Sequence, residues 1–320
     1  MAGNGDATEH PVLAVLRERL ATDSQPGQRS DPHRVVLSIE GGGNRGVISG
    51  GMALALNERR FLSAFDAVYG ASSGALTAAW LLSGDISTGM KAWTDPASFA
   101  PFSRLSNPIR RRPLVDLEWL IGEFYDRTLG LDAAHILASP VSIHPVATDA
   151  DTGLAVDLHR HIGDKQSLHR ALRASASLPL LAGKPVHLAG ARYIDAGVAE
   201  AIPLDTPLAA GATHLLVLSS RKSGDLAADS AVLRAITGAW LRRTAPGARE
   251  PFLARGTRSA AVAQRLTTHS TDLALTPAML AVRPGPDTPR VGRMEADPVV
   301  ITDGLHAGHL AMTELLDANA

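Results

Sequence analysis

The 320-residue chain contains no cysteine, which excludes disulfides, thiolate nucleophiles and thiolate metal ligands. It has no surplus of either charge: 31 Lys and Arg face 32 Asp and Glu, a net charge of −1. A nucleic-acid partner needs a basic excess, and there is none. No apolar run approaches the roughly 18 residues of a membrane-spanning helix. Met1 to His10 is polar and acidic and lacks the charged-then-apolar layout of a Sec signal. These absences point to a cytoplasmic protein or one bound peripherally to a membrane. Histidines and acids do not gather at metal-ligand spacing, so neither a metal nor another cofactor is expected. His159 and His161 read as the polar face of a strand. Aromatics make up only 4%, beside abundant Ala, Arg and Gly, the bias of a GC-rich bacterial genome.

What is present is a 45% hydrophobic chain, ample for a full core, and three short motifs. Tyr69 to Leu76 contains Gly70-Ala71-Ser72-Ser73-Gly74, placed between an apolar strand (Ala67 to Tyr69) and an Ala-rich helix (Ala75 to Leu82). A nucleophilic serine on a tight strand-to-helix turn needs small neighbours, because the backbone is strained and the hydroxyl must project clear of it. The helix start behind it adds free N–H groups and partial positive charge. Upstream, the strand Arg34 to Ile39 runs into Glu40-Gly41-Gly42-Gly43-Asn44-Arg45-Gly46, followed by a helix from Val47 to Arg59. Such a loop aims backbone N–H groups at an anion: a pyrophosphate, a phosphate ester or the oxyanion of acyl transfer. Downstream, Arg192 to Gly197 places Asp195 at the end of a short strand, with Ala196 and Gly197 after it.

Together the three motifs resemble the patatin-like phospholipases: Gly41 to Gly46 as the oxyanion loop, Gly70 to Gly74 as the serine elbow, Asp195 to Gly197 as the acidic turn. Val146 to Gly153 and Arg173 to Pro179 are similar to the family's linking segments, and the likeness covers roughly residues 33 to 220. The resemblance implies a lipid acyl hydrolase of the phospholipase A or lysophospholipase type. Ser72 would be the nucleophile and Asp195 the proton acceptor, with no histidine. Gly41, Gly42, Gly43, Arg45, Gly46 and Ser73 would form the oxyanion hole and substrate contacts. Lipids or esters would be the substrates, with transient contact at a membrane surface. Arg45 either orients the loop or meets a phosphate head group. The family usually has Gly where this chain has Ala196; a left-handed backbone there would strain the turn by about 1 kcal/mol or more.

Strands alternate with helices along the chain, which predicts a mainly parallel central sheet with helices on both faces, a three-layer α/β fold with a helical C-terminal portion. Residues 1–32 read as an N-terminal helix and linker, 33–220 as the catalytic domain and 221–320 as a helical extension packed on it. Leu215 to Leu218 reads as the last core strand. The helical pattern at 11 to 21 suits packing on the body or docking on a membrane surface, and Arg110 to Arg112 forms a basic cluster. Three other readings stand beside the acyl hydrolase. Gly41-x-Gly43-x-x-Gly46 fits a dinucleotide fingerprint, with Asp66 twenty residues beyond Gly46. Chain order also allows a Ser72–Asp195–histidine triad with His306 or His309. The same scaffold would also serve a protein that binds lipid or a partner without catalysis.

Overall fold

The structure, a computed structural model, describes residues 9–95, 113–225 and 230–318. The Arg110 to Arg112 cluster lies outside these residues. The centre is an eight-stranded sheet, in the order β5-β6-β3-β2-β1-β7-β8 with β4 on β3. Its strands are β1 (Val35–Ile39), β2 (Ala67–Ala71), β3 (Ser142–Asp149), β4 (Ala155–Asp157), β5 (Val186–Leu188), β6 (Ala191–Ile194), β7 (His214–Leu218) and β8 (Ala278–Val282). The five strands β3, β2, β1, β7 and β8 run parallel, whereas β4 and β6 pair with β3 antiparallel.

Every residue of β1 and β2 is buried, as parallel strands covered on both faces require. Alternation then sorts the side chains. Val35, Leu37 and Ile39 join one core with the helices Val47–Glu58, Ser73–Leu82, Ile86–Thr94 and Pro298–Asp317. Val36, Tyr69, Leu215, Val217 and Met279 face the other way, towards Leu204 and towards Leu266 of the helix Arg249–Thr271. The expected three layers follow. No helix among the described residues is long and apolar enough to cross a membrane.

The helix Pro11–Ala21 buries Val12, Leu13 and Leu16 against the body, so this apolar stripe is covered rather than offered to a membrane. Arg19, nearly inaccessible, bonds Asp31 at 2.8 Å and Asp66 at 3.0 Å.

Two details differ from the sequence reading. Leu215–Leu218 is not the last core strand, because β8 pairs with β7 along its whole length. A run of five apolar residues lacks the length to distinguish strand from helix by periodicity. His159 and His161 lie on a short 3₁₀ turn rather than a strand.

The last helix crosses the helix Val47–Glu58 at backbone contact. A Cβ on Gly308 would stand 1.9 Å from the Ile48 carbonyl oxygen, and one on Gly51 2.0 Å from that of Leu305. Gly308→Ala therefore forces two backbones apart. It should cost about 1–3 kcal/mol, read as a lowered urea midpoint with an unchanged slope.

Candidate active site

Ser72 closes β2 and opens the helix Ser73–Leu82, with φ 54° and ψ −123°. This backbone region suits glycine and stores of order 1–3 kcal/mol in any other residue. Two contacts hold it there. The Ser72 N–H donates to Ser175 Oγ at 2.9 Å, and Gly74 sits so close to β1 that a Cβ would lie 2.3 Å from the Ile39 carbonyl oxygen. Gly70 lies under the same helix start, 2.5 Å in the same sense from Ala75 Cα.

The glycine loop leaves β1 and passes directly beside the serine. A Cβ on Gly41 would come within 2.9 Å of Ser72 Cβ. The Gly41 N–H donates to the Ala201 carbonyl (3.0 Å), Gly42 N–H to Ser73 Oγ (2.9 Å) and Asn44 N–H to the Arg293 carbonyl (2.9 Å). Gly43, at φ 59°, takes part in none of these bonds. Ser73 thus holds the loop, and Gly46 packs on its hydroxyl.

Arg45 lies folded back over Gly42. Its Nε donates to Ser220 Oγ at 2.9 Å, and its guanidinium is 3.5 Å from the wholly buried Glu40. Burial pulls the Arg45 pKa down to about 10, with Glu40 acting against it. Burial works to raise the Glu40 pKa, but Arg45 and Arg221, the Ser219 hydroxyl and the Ser220 N–H outweigh it and hold the carboxyl below its ordinary value.

Asp195 reaches the same point by another route. The β5–β6 hairpin lies beyond the end of β3 and turns back, so that Ile194 pairs with Thr148 near the carboxyl end of β3. There the Asp195 N–H donates to the Ser177 carbonyl (2.9 Å), its own carbonyl accepts from Thr148 Oγ1 (2.8 Å), and Oδ1 accepts from the Gly197 N–H (2.8 Å). Oδ2 is buried without a hydrogen-bond partner. Burial raises the Asp195 pKa; the Ser72 hydroxyl opposes this first, ahead of Gly197 N–H, Arg293 and Arg255. The hydroxyl and the carboxylate thus act on each other without an aligned hydrogen bond, a common state of sites without ligand. Ala196 is fully buried, begins a 3₁₀ turn and is not left-handed, so the strain considered for an Ala at this position does not arise.

Two cavities meet at Ser72. One, about 70 Å³, is apolar, with walls that include Leu76, Trp93, Val115, Leu117, Leu120 and Tyr125. The other, about 60 Å³, has charged side chains in its walls: Asp195, Arg45, Arg221, Arg255 and Arg293, beside the three glycines of the loop. The sequence reading missed Ser175, Arg221, Arg255 and Arg293. Arg255 carries no local signal, being one Arg of several on a helix, and Arg293 follows a Pro/Gly-rich break.

The competing sites lie elsewhere. Asp66 precedes β2 and binds Arg19, Arg29 and the Val35 N–H, at the end of the sheet opposite the glycine loop. Among the described residues, no histidine lines either cavity. His309 bonds Glu58 at 2.7 Å, and His306 is exposed. A chain of Ser142 Oγ, His144 and Asp157 (2.8 and 2.6 Å) copies a triad's atoms, but at the amino end of β3. Its imidazole is stacked between Tyr69 and His159, with centroids 4.2 and 4.3 Å away, as a packed core group.

Residues 37–208 match the family described as patatin-like phospholipase. The chain is similar to the uncharacterized protein YjjU of Escherichia coli (strain K12), with 28% identity over 189 residues, 58% of this chain and 52% of that protein. It thus spans about half the length of this curated relative. Among solved structures it is similar to VipD from Legionella pneumophila, at 16% identity and a TM-score of 0.47, covering 90% of this chain and 67% of that one.

Proposed function

The chain belongs to the patatin-like phospholipase family, and from that premise we propose that it is a lipid acyl hydrolase working through a Ser72–Asp195 pair. The observation that carries the reading is the convergence, at one strained turn, of a serine hydroxyl, a buried carboxylate with one oxygen unpartnered, and a glycine loop. Ser72 Oγ attacks the ester carbonyl carbon while Asp195 Oδ2 accepts its proton. The tetrahedral intermediate collapses, and the leaving alcohol takes that proton. Water, deprotonated by the same carboxylate, attacks the acyl-enzyme, and that proton returns to Ser72 Oγ as the acid leaves.

A carboxylate is a weak base for a serine hydroxyl. Its contribution comes from proximity and from a pKa moved towards neutrality. The remaining stabilisation falls to the oxyanion donors, each worth about 3 kcal/mol. Gly43 N–H is the candidate donor in the loop, since Gly41, Gly42 and Asn44 are committed elsewhere. Arg45 acts as a buttress of the loop through Glu40 and Ser220 rather than as a substrate contact. The apolar cavity suits the acyl chain, and transient contact with a membrane surface would deliver it.

The test is hydrolysis of lipid mixtures followed by mass spectrometry, with fluorophosphonate labelling at Ser72. Free fatty acid released by the wild type and absent with Ser72→Ala supports the reading. No hydrolysis of any lipid or p-nitrophenyl ester, together with no labelling, would leave a binding protein in its place.

A pH prediction follows. Asp195 must be ionised to accept a proton, and burial raises its pKa. The acid limb of kcat/KM on a soluble ester should therefore lie above the ordinary aspartate value of about 4, with activity falling as pH drops through it. A profile flat down to pH ~4 would contradict this role.

A further inference from the structure

Three large apolar side chains stand exposed within five positions of one helix, Ala231–Thr244: Val232 at 69%, Leu233 at 48% and Ile236 at 54%. Single exposed apolar residues are ordinary, whereas a cluster marks a surface that is covered at work. The helix buries Thr237, Gly238 and Leu241. Val232, Ile236, Ala239 and Arg243, spaced by four, three and four, fall on the opposite face, with Leu233 beside them. Residues 231–236 are all exposed, so the first turns of the helix project from the body. A helix that only covers a core turns polar residues outwards. This one is apolar on the side it turns away from the core.

The same helix is cationic. It contains Arg234, Arg242 and Arg243, all exposed, and no Asp or Glu. The chain as a whole carries −1, so this charge is local. An apolar stripe about 16 Å long that ends in arginines suits an anionic lipid surface. The apolar groups enter the acyl boundary, and the guanidinium groups reach the phosphates. A second copy docked face to face would present the same arginines instead of anions. The helix also stands beside the site. It follows the carboxyl end of β7, where Leu218 pairs with Ile39 ahead of the glycine loop. Its Leu241 and the following Ala245 pack in one cluster with Ile194 and Val198, which flank Asp195 in the chain. Val198 is also a wall of the cavity that holds Asp195.

We infer that the outward face of this helix seats the protein on an anionic bilayer, through Val232, Leu233 and Ile236 with Arg242 and Arg243. This rests on the reading of the site as a lipid acyl hydrolase and names the surface on which it would work. The docking helix lies beyond residue 208, outside the stretch that the family matches.

The experiment measures co-sedimentation of the full chain carrying Ser72→Ala, which leaves vesicles intact, with two kinds of vesicle. One is phosphatidylcholine alone, the other phosphatidylcholine and phosphatidylglycerol in equal parts. The anionic vesicles should bind roughly tenfold more tightly or better, and less so as salt is raised. Val232→Ser with Ile236→Ser should weaken that binding roughly tenfold, and Arg242→Gln with Arg243→Gln should erase the preference for anionic lipid. All four side chains are exposed, so the melting temperature should hold; should one pair unfold, the other decides. No binding to anionic vesicles before these changes, or binding unchanged by both pairs, overturns the inference. So does a dimer in sedimentation equilibrium that the serine pair converts to monomer while vesicle binding stays the same, which gives the face to a second copy. With Ser72 intact, hydrolysis of anionic vesicles relative to a soluble p-nitrophenyl ester should fall in the serine pair by the factor seen in binding. If neither substrate is hydrolysed while the vesicles still bind as expected, the catalytic reading fails and the docking surface stands.

Discussion

Ser72→Ala is expected to lower ester hydrolysis by roughly 10⁴-fold or more and to abolish fluorophosphonate labelling. Among the described residues, the oxygen lost is the only hydroxyl placed at the junction of both cavities on a turn that projects it; Ser73 is occupied by the glycine loop. The backbone at Ser72 makes a second, independent reading possible. Its φ of 54° penalises any side chain. Ser72→Gly should be as inactive as Ser72→Ala, yet more stable than it by about 1 kcal/mol, measured by chemical denaturation. Equal stability of the two variants would mean that the turn relaxes in solution, and with it the geometry on which nucleophilic attack depends.

Asp195→Asn should reduce kcat/KM by roughly 10³- to 10⁴-fold, with the melting temperature retained. Asn keeps the shape and can still accept from the Gly197 N–H. It cannot accept a proton from Ser72, and its amide would donate in the direction where a base is needed. The fold should tolerate the change, because burial already disfavours the ionised carboxyl that is removed. His306→Ala and His309→Ala are the matched controls. They should keep most of the activity, since His309 is tied to Glu58 and neither residue lines a cavity at Ser72. A large loss in either would replace the two-residue mechanism with one that needs an imidazole.

The sequence showed the centre of the fold more readily than its edges. β1 and β2 are short apolar runs that end in glycine motifs, so both strand and loop were legible. β8 was not, because Ala278–Val282 has neither the length nor the alternation that separates a buried strand from a helical turn. The site divided in the same way. Gly41 to Gly46, Ser72 and Asp195 were visible because each needs small neighbours in a fixed order. The groups that hold them were visible only as segments similar to the family's, with no role to be read for any one residue. Ser175 fixes the serine turn, Thr148 and Ser177 anchor the aspartate, and all three act through single hydrogen bonds across long chain separations. Arg255 and Arg293 come from a helix and a loop with no spacing relation to the motifs. Only the return of the chain to the far side of β7 brings them to Asp195.

That return has a consequence for how such a protein can change. The residues matched by the family end at 208, and the proposed reacting pair, Ser72 and Asp195, lies before that point. Arg221, Arg255, Arg293 and Met294, which wall the two cavities, lie after it. The stretch beyond the family match thus supplies part of the walls of both cavities, while most of the apolar one comes from before it. Substitutions in the later stretch would reshape these walls while leaving the proposed Ser72–Asp195 pair in place. A truncation after residue 220 would lose those walls and the edge strand β8, while Leu76, Trp93 and Tyr125 of the apolar cavity remained.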